Sequence, residues 1–167
     1  MTNADLERRL LRLEDIEAIK QLKARYCALC DANYDADGLA ALFTEDAVWD
    51  GGNTFGLAEG REGIRKHFAG ASARVTIARH QVMNPIVEVD GDQATGHWLL
   101  FQPCTNAGRD SSGAVAEEAV WLAATYADTY RREASGWLIA TTVIDVAFFT
   151  PFDAGWVDQR FLPGRQP

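Results

Sequence analysis

From Leu6 onward, apolar residues at Leu10, Leu13, Ile16, Ile19, Leu22 and Tyr26 recur every three or four positions. This spacing keeps one stripe of a long helix against a core. The polar cluster around Asn33 and Asp35 ends that helix, and Leu39, Leu42 and Phe43 predict a short second one. Ala47 to Asp50 reads as a strand stopped by Gly51-Gly52, with Thr54 to Leu57 returning beside it. A third helix is predicted from Arg61 to Phe68, after the break at Gly60. All the predicted helices lie in the first half.

After Val75 the period changes to two, in four long segments: Ile77 to Val89, Ala94 to Cys104, Ala116 to Arg131 and Trp137 to Phe149. Turn residues at Asp90-Gly91-Asp92, Gly108 to Gly113 and Ser135-Gly136 make consecutive antiparallel hairpins the simplest connection. Helices followed by a meander predict an α+β fold, with the helices packed on one face of a curved antiparallel sheet. Strands this long twist and coil, so the sheet is expected to be concave, its hollow closed by the first helix into a small-molecule pocket. From Gly96 to Gln102 both alternating sets are large: His97, Leu99 and Phe101 on one face, Trp98, Leu100 and Gln102 on the other. One face lining the pocket leaves the other to meet a second subunit, so a homo-oligomer is expected.

The chain's 167 residues suit one domain, with a core from about residue 10 to 151 and an aromatic tail over 152–167. No stretch approaches the roughly 20 apolar residues of a membrane helix, and Met1 to Leu13 has no apolar block with a cleavage site. The expected setting is cytoplasmic, away from membranes. A net charge of −8 with dispersed Lys and Arg argues against nucleic acid as a partner. Three cysteines are too few for a disulfide framework. Cys27 and Cys30 form a C-x-x-C near a helix end, where the dipole disfavours a thiolate, and read as small core or pocket residues.

Nucleotide-binding glycine loops, G-x-S-x-G and H-E-x-x-H are missing from the sequence, and His67, His80 and His97 lack metal-ligand spacing. Neither cofactor nor metal is expected. The chemical candidates are Tyr26, Asp31 and His80. Tyr26 continues the inward stripe of the first helix. Asp31 lies five residues on, about 140° around an ideal helix, so the two converge only where the helix ends or distorts near Cys30. His80 sits in the strand-like run Ala78 to Met83, just before Asn84-Pro85. An imidazole with an acid behind it is the usual general base near neutral pH. Spacing alone favours structural roles for all three.

A family resemblance shifts that balance. The run Ile16-Glu17-Ala18-Ile19-Lys20, Tyr26, Asp31 and the run Leu39 to Trp49 resemble the opening of SnoaL-like proteins of the nuclear-transport-factor-2-like, cystatin-like superfamily. Gly60 to Ile64, His80, Gly136-Trp137 and Phe149-Thr150-Pro151 continue the likeness. Within it, the chain looks most like the branch of scytalone dehydratase, bile-acid 7α-dehydratase and hexachlorocyclohexane dehydrochlorinase. The resemblance implies a cofactor-free lyase that eliminates water from a hydrophobic cyclic hydroxy-carbonyl substrate. Asp31 would orient His80 as the base, and Tyr26 would donate a hydrogen bond. It implies pocket walls at Trp49, Phe68, Trp98 and Leu100, and a trimer rather than a dimer. His97 does not match a second catalytic His and reads as a satisfied structural residue. The tail from Thr150 to Leu162, with Phe152, Trp156 and Phe161, is aromatic enough to cover a pocket mouth. Isomerisation or polyketide-type cyclisation with the same pocket, and a non-catalytic binding or assembly subunit, stay open as alternatives.

Overall fold

The computed structural model describes residues 1–109 and 115–165. Helix α1 (Asn3–Asp31) is opened by Thr2, whose hydroxyl accepts from the Asp5 amide while the Asp5 carboxylate accepts from the Thr2 amide. Its apolar stripe does two different things. Ile19, Leu22, Tyr26, Cys27 and Cys30 are buried, whereas Leu6, Leu10, Leu11 and Leu13 are exposed. The expectation of one stripe held against the core fails for the first three turns. The helix reaches its docking point at Asp15, whose carboxylate accepts from Arg132 Nη2 (2.6 Å) and Trp137 Nε1 (3.0 Å), and the turns before it run past the sheet.

Asn33 and Tyr34, both at positive φ (65° and 55°), reverse the chain after α1. Asp35 then caps α2 (Ala36–Ala41) by accepting from the Gly38 amide. Phe43, expected in that helix, instead begins β1 (Phe43–Asp50). The return predicted from Thr54 is split: Gly52–Phe55 forms a single helical turn, α3, and β2 (Leu57–Glu59) pairs antiparallel with β1. Helix α4 (Gly60–Ala69) follows at the predicted place.

The second half is the antiparallel meander the alternation predicted: β3 (Val75–Ala78), β4 (Gln81–Asp90), β5 (Gln93–Arg109), β6 (Val115–Glu133) and β7 (Gly136–Pro151). Of the predicted turn Gly108 to Gly113, residues 110–113 lie outside the described residues. The sheet order is β2-β1-β7-β6-β5-β3, with β4 also pairing β5 and β1 joining β7 in parallel. One strand was expected over Ile77 to Val89, yet the chain breaks at Arg79-His80 between two strands that share one edge of β5. Pro103 explains the break. Its carbonyl accepts from Arg79 N (3.2 Å), but it has no N–H to return to that edge. A second irregularity falls at Asn84 (φ 51°), between the paired residues Met83 and Ile86.

The even-numbered residues of β5 from Ala94 to Cys104 face the core, and Leu99 and Val143 stand on the outer face. His97 is exposed there, so it is not the satisfied structural histidine expected. The tail adds a helix the sequence did not suggest, α5 (Gly155–Asp158), so helices are not confined to the first half. The tail divides between the faces. Trp156 stacks on Phe148 (4.9 Å) and Phe152 packs on Trp121 (5.3 Å), while Phe161 and Leu162 return to pair with Phe149. No helix among the described residues is long and apolar enough to cross a membrane.

Candidate functional site

The sheet and helices enclose a cavity of about 340 Å³. Its wall is built from the aromatic end of α1, the inner face of α4 and the inward residues of β5 to β7. Tyr26, Trp49, Phe68, Leu100 and Tyr126 supply apolar surface, and His80 stands in the wall. Trp98 does not. It lies one inward step before Leu100 on β5, where Trp98 Nε1 donates to Tyr130 Oη (3.1 Å) and Tyr130 Oη donates to Asp128 (2.7 Å). Strand parity gave the correct face but not the depth at which the cavity ends. Gly96 leaves room for this packing, since a Cβ there would lie 2.9 Å from the Tyr130 ring.

Asp128 completes an ion pair with Lys23 (2.8 Å), both side chains fully buried. The Lys23 ammonium also lies over the Tyr126 ring, 3.4 Å from its centroid. A buried ammonium of this kind is tolerated only when compensated, here by one carboxylate and an aromatic face.

Asp31 is the last residue of α1, and its carboxylate meets His80 twice. His80 N donates to Asp31 Oδ1 and Oδ2 (3.0 and 3.2 Å), and His80 Nδ1 lies 2.7 Å from Asp31 Oδ1. His80 follows the residue opposite Pro103, so by strand alternation its amide points away from β5 and toward the end of α1. Burial on its own would raise the Asp31 pKa. The hydrogen bonds from His80, with the nearby charge of Arg79, outweigh it and hold the carboxyl below its ordinary value. Paired with a carboxylate, Nδ1 carries the proton and Nε2 is left as the basic nitrogen. The helix was expected to end or distort near Cys30 for Tyr26 and Asp31 to converge, and it ends at Asp31. The two side chains do not meet directly: His80 bridges from Asp31 into the cavity that Tyr26 also lines.

Tyr26 is fully buried and its hydroxyl oxygen accepts from Trp49 Nε1 (3.0 Å), which leaves the O–H free to donate. Burial pushes its phenol well above the ordinary range, so it stays protonated. Phe43, Phe68 and Tyr126 meet the Tyr26 ring edge-on at 6.1 to 6.3 Å and fix its orientation. Burial likewise pushes the Cys27 thiol up to about 11 and raises that of Cys30 well above its ordinary value, so neither is a nucleophile.

Tyr34, His67, Arg74 and Arg165 are among the pocket residues that were not foreseen. Tyr34 is carried into the wall by its left-handed backbone, where its ring stacks on Phe68 (6.1 Å) and meets His80 edge-on (6.1 Å). His67 lines the cavity from α4, its ring 4.4 Å from that of Trp49. Burial, reinforced by the charge of Arg74, lowers its pKa below the ordinary 6.5 and favours the neutral ring. Arg74 and Arg165 line the cavity as well. The turn Asn33-Tyr34 and the helical position of His67 beside Phe68 were visible in the sequence, but no periodicity marks the two arginines. Among the described residues no group of three metal-ligating side chains converges.

Many solved structures share this architecture, three of them as follows. One, from Novosphingobium aromaticivorans and assigned as an aromatic ring hydroxylase, is 26% identical, with a TM-score of 0.72 over 83% of this chain and 94% of that one. A second from the same organism, assigned as a scytalone dehydratase, is 20% identical, with a TM-score of 0.71 over 84% and 89%. A hexachlorocyclohexane dehydrochlorinase is 18% identical, with a TM-score of 0.69 over 90% and 93%. The fold is the cystatin-like one of nuclear-transport-factor-2-like proteins. None of the curated proteins matches the sequence. The SnoaL-like domain family matches residues 11–143, the span that holds α1, the break at His80 and most of the meander, and the chain belongs to that family.

Proposed function

We propose that the protein is a cofactor-free lyase, a dehydratase acting on a hydrophobic cyclic hydroxy-carbonyl compound. The observation that carries this reading is the 2.7 Å contact of His80 Nδ1 with Asp31 at the wall of an aromatic-lined cavity. Asp31 fixes the tautomer and stabilises the imidazolium. Nε2 removes a proton from the carbon next to the carbonyl, and the C–H electrons form the new double bond as the C–O bond to the hydroxyl breaks. The imidazolium returns that proton to the departing hydroxide, which leaves as water. Tyr26 donates its O–H to the carbonyl oxygen or the departing hydroxyl while Trp49 holds its oxygen.

The solved structures assigned as dehydratase and dehydrochlorinase support an eliminating enzyme through their shared architecture. The likeness to a ring-hydroxylase protein favours a second reading, a non-catalytic assembly subunit. Such a subunit calls for a filled core and a His80 turned away from it, so the open cavity favours the enzyme. Isomerisation or cyclisation would use the same base. A mass-spectrometric screen of hydroxylated steroids, cyclic β-hydroxy ketones and acyl thioesters separates these readings. Loss of water with the wild type and none with His80→Ala is expected. Loss of water in both removes His80 from the mechanism, and mass-neutral turnover replaces elimination with isomerisation.

The outer sheet face supports a homo-oligomeric working form, with a trimer favoured. Ile77, Met83, Leu99, Val143, Phe152 and Trp156 are all more than 40% exposed on the chain alone.

A further inference from the structure

We infer that the pocket takes a substrate with an anionic arm, an apolar ring body inside and a carboxylate or phosphate group held by Arg74 and Arg165. This rests on the elimination reading for the interior but concerns the other end of the same cavity. The chain carries 24 acidic against 16 basic Lys and Arg residues. Its described cavity wall inverts that balance, with two arginines, two histidines and no Asp or Glu. Asp31, behind the wall residue His80, is engaged with it. A cationic wall on an acidic protein concentrates anions at that point against the field of the rest of the surface.

Both arginines stand on fixed backbone. Arg74 ends the turn after α4, where its amide donates to Ala71 O (2.9 Å) and its carbonyl accepts from Ala107 N (2.7 Å). Arg165 is clamped to α3 from both sides: Arg165 Nη1 donates to Thr54 O (2.6 Å), and Thr54 Oγ1 donates to Arg165 O (3.1 Å). That bond uses one of five guanidinium protons and leaves the rest of the fork for a planar oxyanion. Arg74 is exposed and Arg165 half-buried, whereas Tyr26 and Tyr126 are buried, so the cations sit toward solvent and the aromatic wall lies below. The charge of Arg74 is felt inside, since it helps to lower the pKa of His67. Asn106 adds a neutral polar side chain to the lining.

The test compares two fluorescent probes of nearly the same shape, anionic 1-anilinonaphthalene-8-sulfonate and neutral N-phenyl-1-naphthylamine. The wild type is expected to bind the sulfonate more tightly. Arg74→Gln and Arg165→Gln should each weaken the sulfonate by about tenfold and leave the neutral probe unchanged. Retained binding of the neutral probe shows an intact pocket. Should Arg165→Gln lose both probes through undocking of the tail, Arg74→Gln decides alone, because its side chain carries no tie to the fold among the described residues. Equal affinity for the two probes, or sulfonate binding unchanged in Arg74→Gln, overturns the inference. Displacement of the sulfonate by a steroid carboxylate identifies a free acid as the arm, and displacement by coenzyme A identifies a phosphate-bearing thioester. Displacement by neither overturns it. Binding is read without turnover, so failure of the elimination reading and failure of this one are seen separately.

Discussion

Asp31 makes a backbone and a side-chain contact with the same residue, and the two contacts do different work. The bond to the His80 amide holds the strand break where it is, and the bond to Nδ1 sets the tautomer. Asp31→Asn should keep the fold, because an amide oxygen still accepts from His80 N, yet lower turnover by about 10²–10⁴-fold, as measured by kcat. The acid limb of stability should change in the same variant. The folded Asp31 carboxyl lies below the ordinary 3.8, so its stabilising contribution is complete above that value and is lost as pH falls through the folded one. Asp31→Asn removes that part of the acid dependence of urea unfolding; an unchanged acid limb contradicts it. His67 tests the neighbouring electrostatics. Its imidazole should titrate below 6.5 by NMR and move upward in Arg74→Gln. Unfolding should accordingly be favoured as pH falls through that range, because the unfolded chain binds the proton more readily. Tyr26, Asp31 and His80 could be named from the sequence because a family pattern marks their positions. Tyr34, Arg74 and Arg165 could not, since each enters the wall from a turn or the tail, where neither period applies.

Besides Tyr26 and Asp31, helix α1 meets the sheet through two further polar side chains, Asp15 at the β6–β7 hairpin and Lys23 against Asp128 on β6. The second lies under the pocket floor. Asp128→Asn should cost about 3–5 kcal/mol, because it leaves the Lys23 ammonium buried without its counter-charge. This corresponds to a fall in Tm on the order of 10 °C by calorimetry. A fall of one or two degrees would mean that water reaches Lys23. The meander was legible because alternation survives along most of β5, β6 and β7, whose inner faces are buried over their central stretches. The parallel pairing of β1 with β7 was not, because a contact between strands some 90 residues apart leaves no local signature. The break at Arg79-His80 was hidden for a related reason. Its cause, Pro103, sits on the neighbouring strand.

Seen whole, the molecule has a cationic, aromatic hollow on one side of its sheet and an aromatic outer face on the other. The outer face carries stacked Phe101–Trp121 (5.2 Å) and the Phe152 and Trp156 contacts, more apolar surface than one chain uses. Light scattering after size exclusion should give a trimer, and Leu99→Asp should shift it toward the monomer; a monomeric wild type contradicts the assembly. The fold class was legible from the change of period near Val75, whereas the division of the tail between the two faces was not, because its aromatic residues fit either. The central claim is that His80 removes a proton next to a carbonyl, and deuterium exchange tests it without knowledge of the leaving group. A cyclic ketone such as 2-decalone is incubated with the protein in D₂O, and its mass is followed against a protein-free control. The account predicts deuterium uptake above the control with the wild type and none above it with His80→Ala. Equal uptake in both proteins would contradict it.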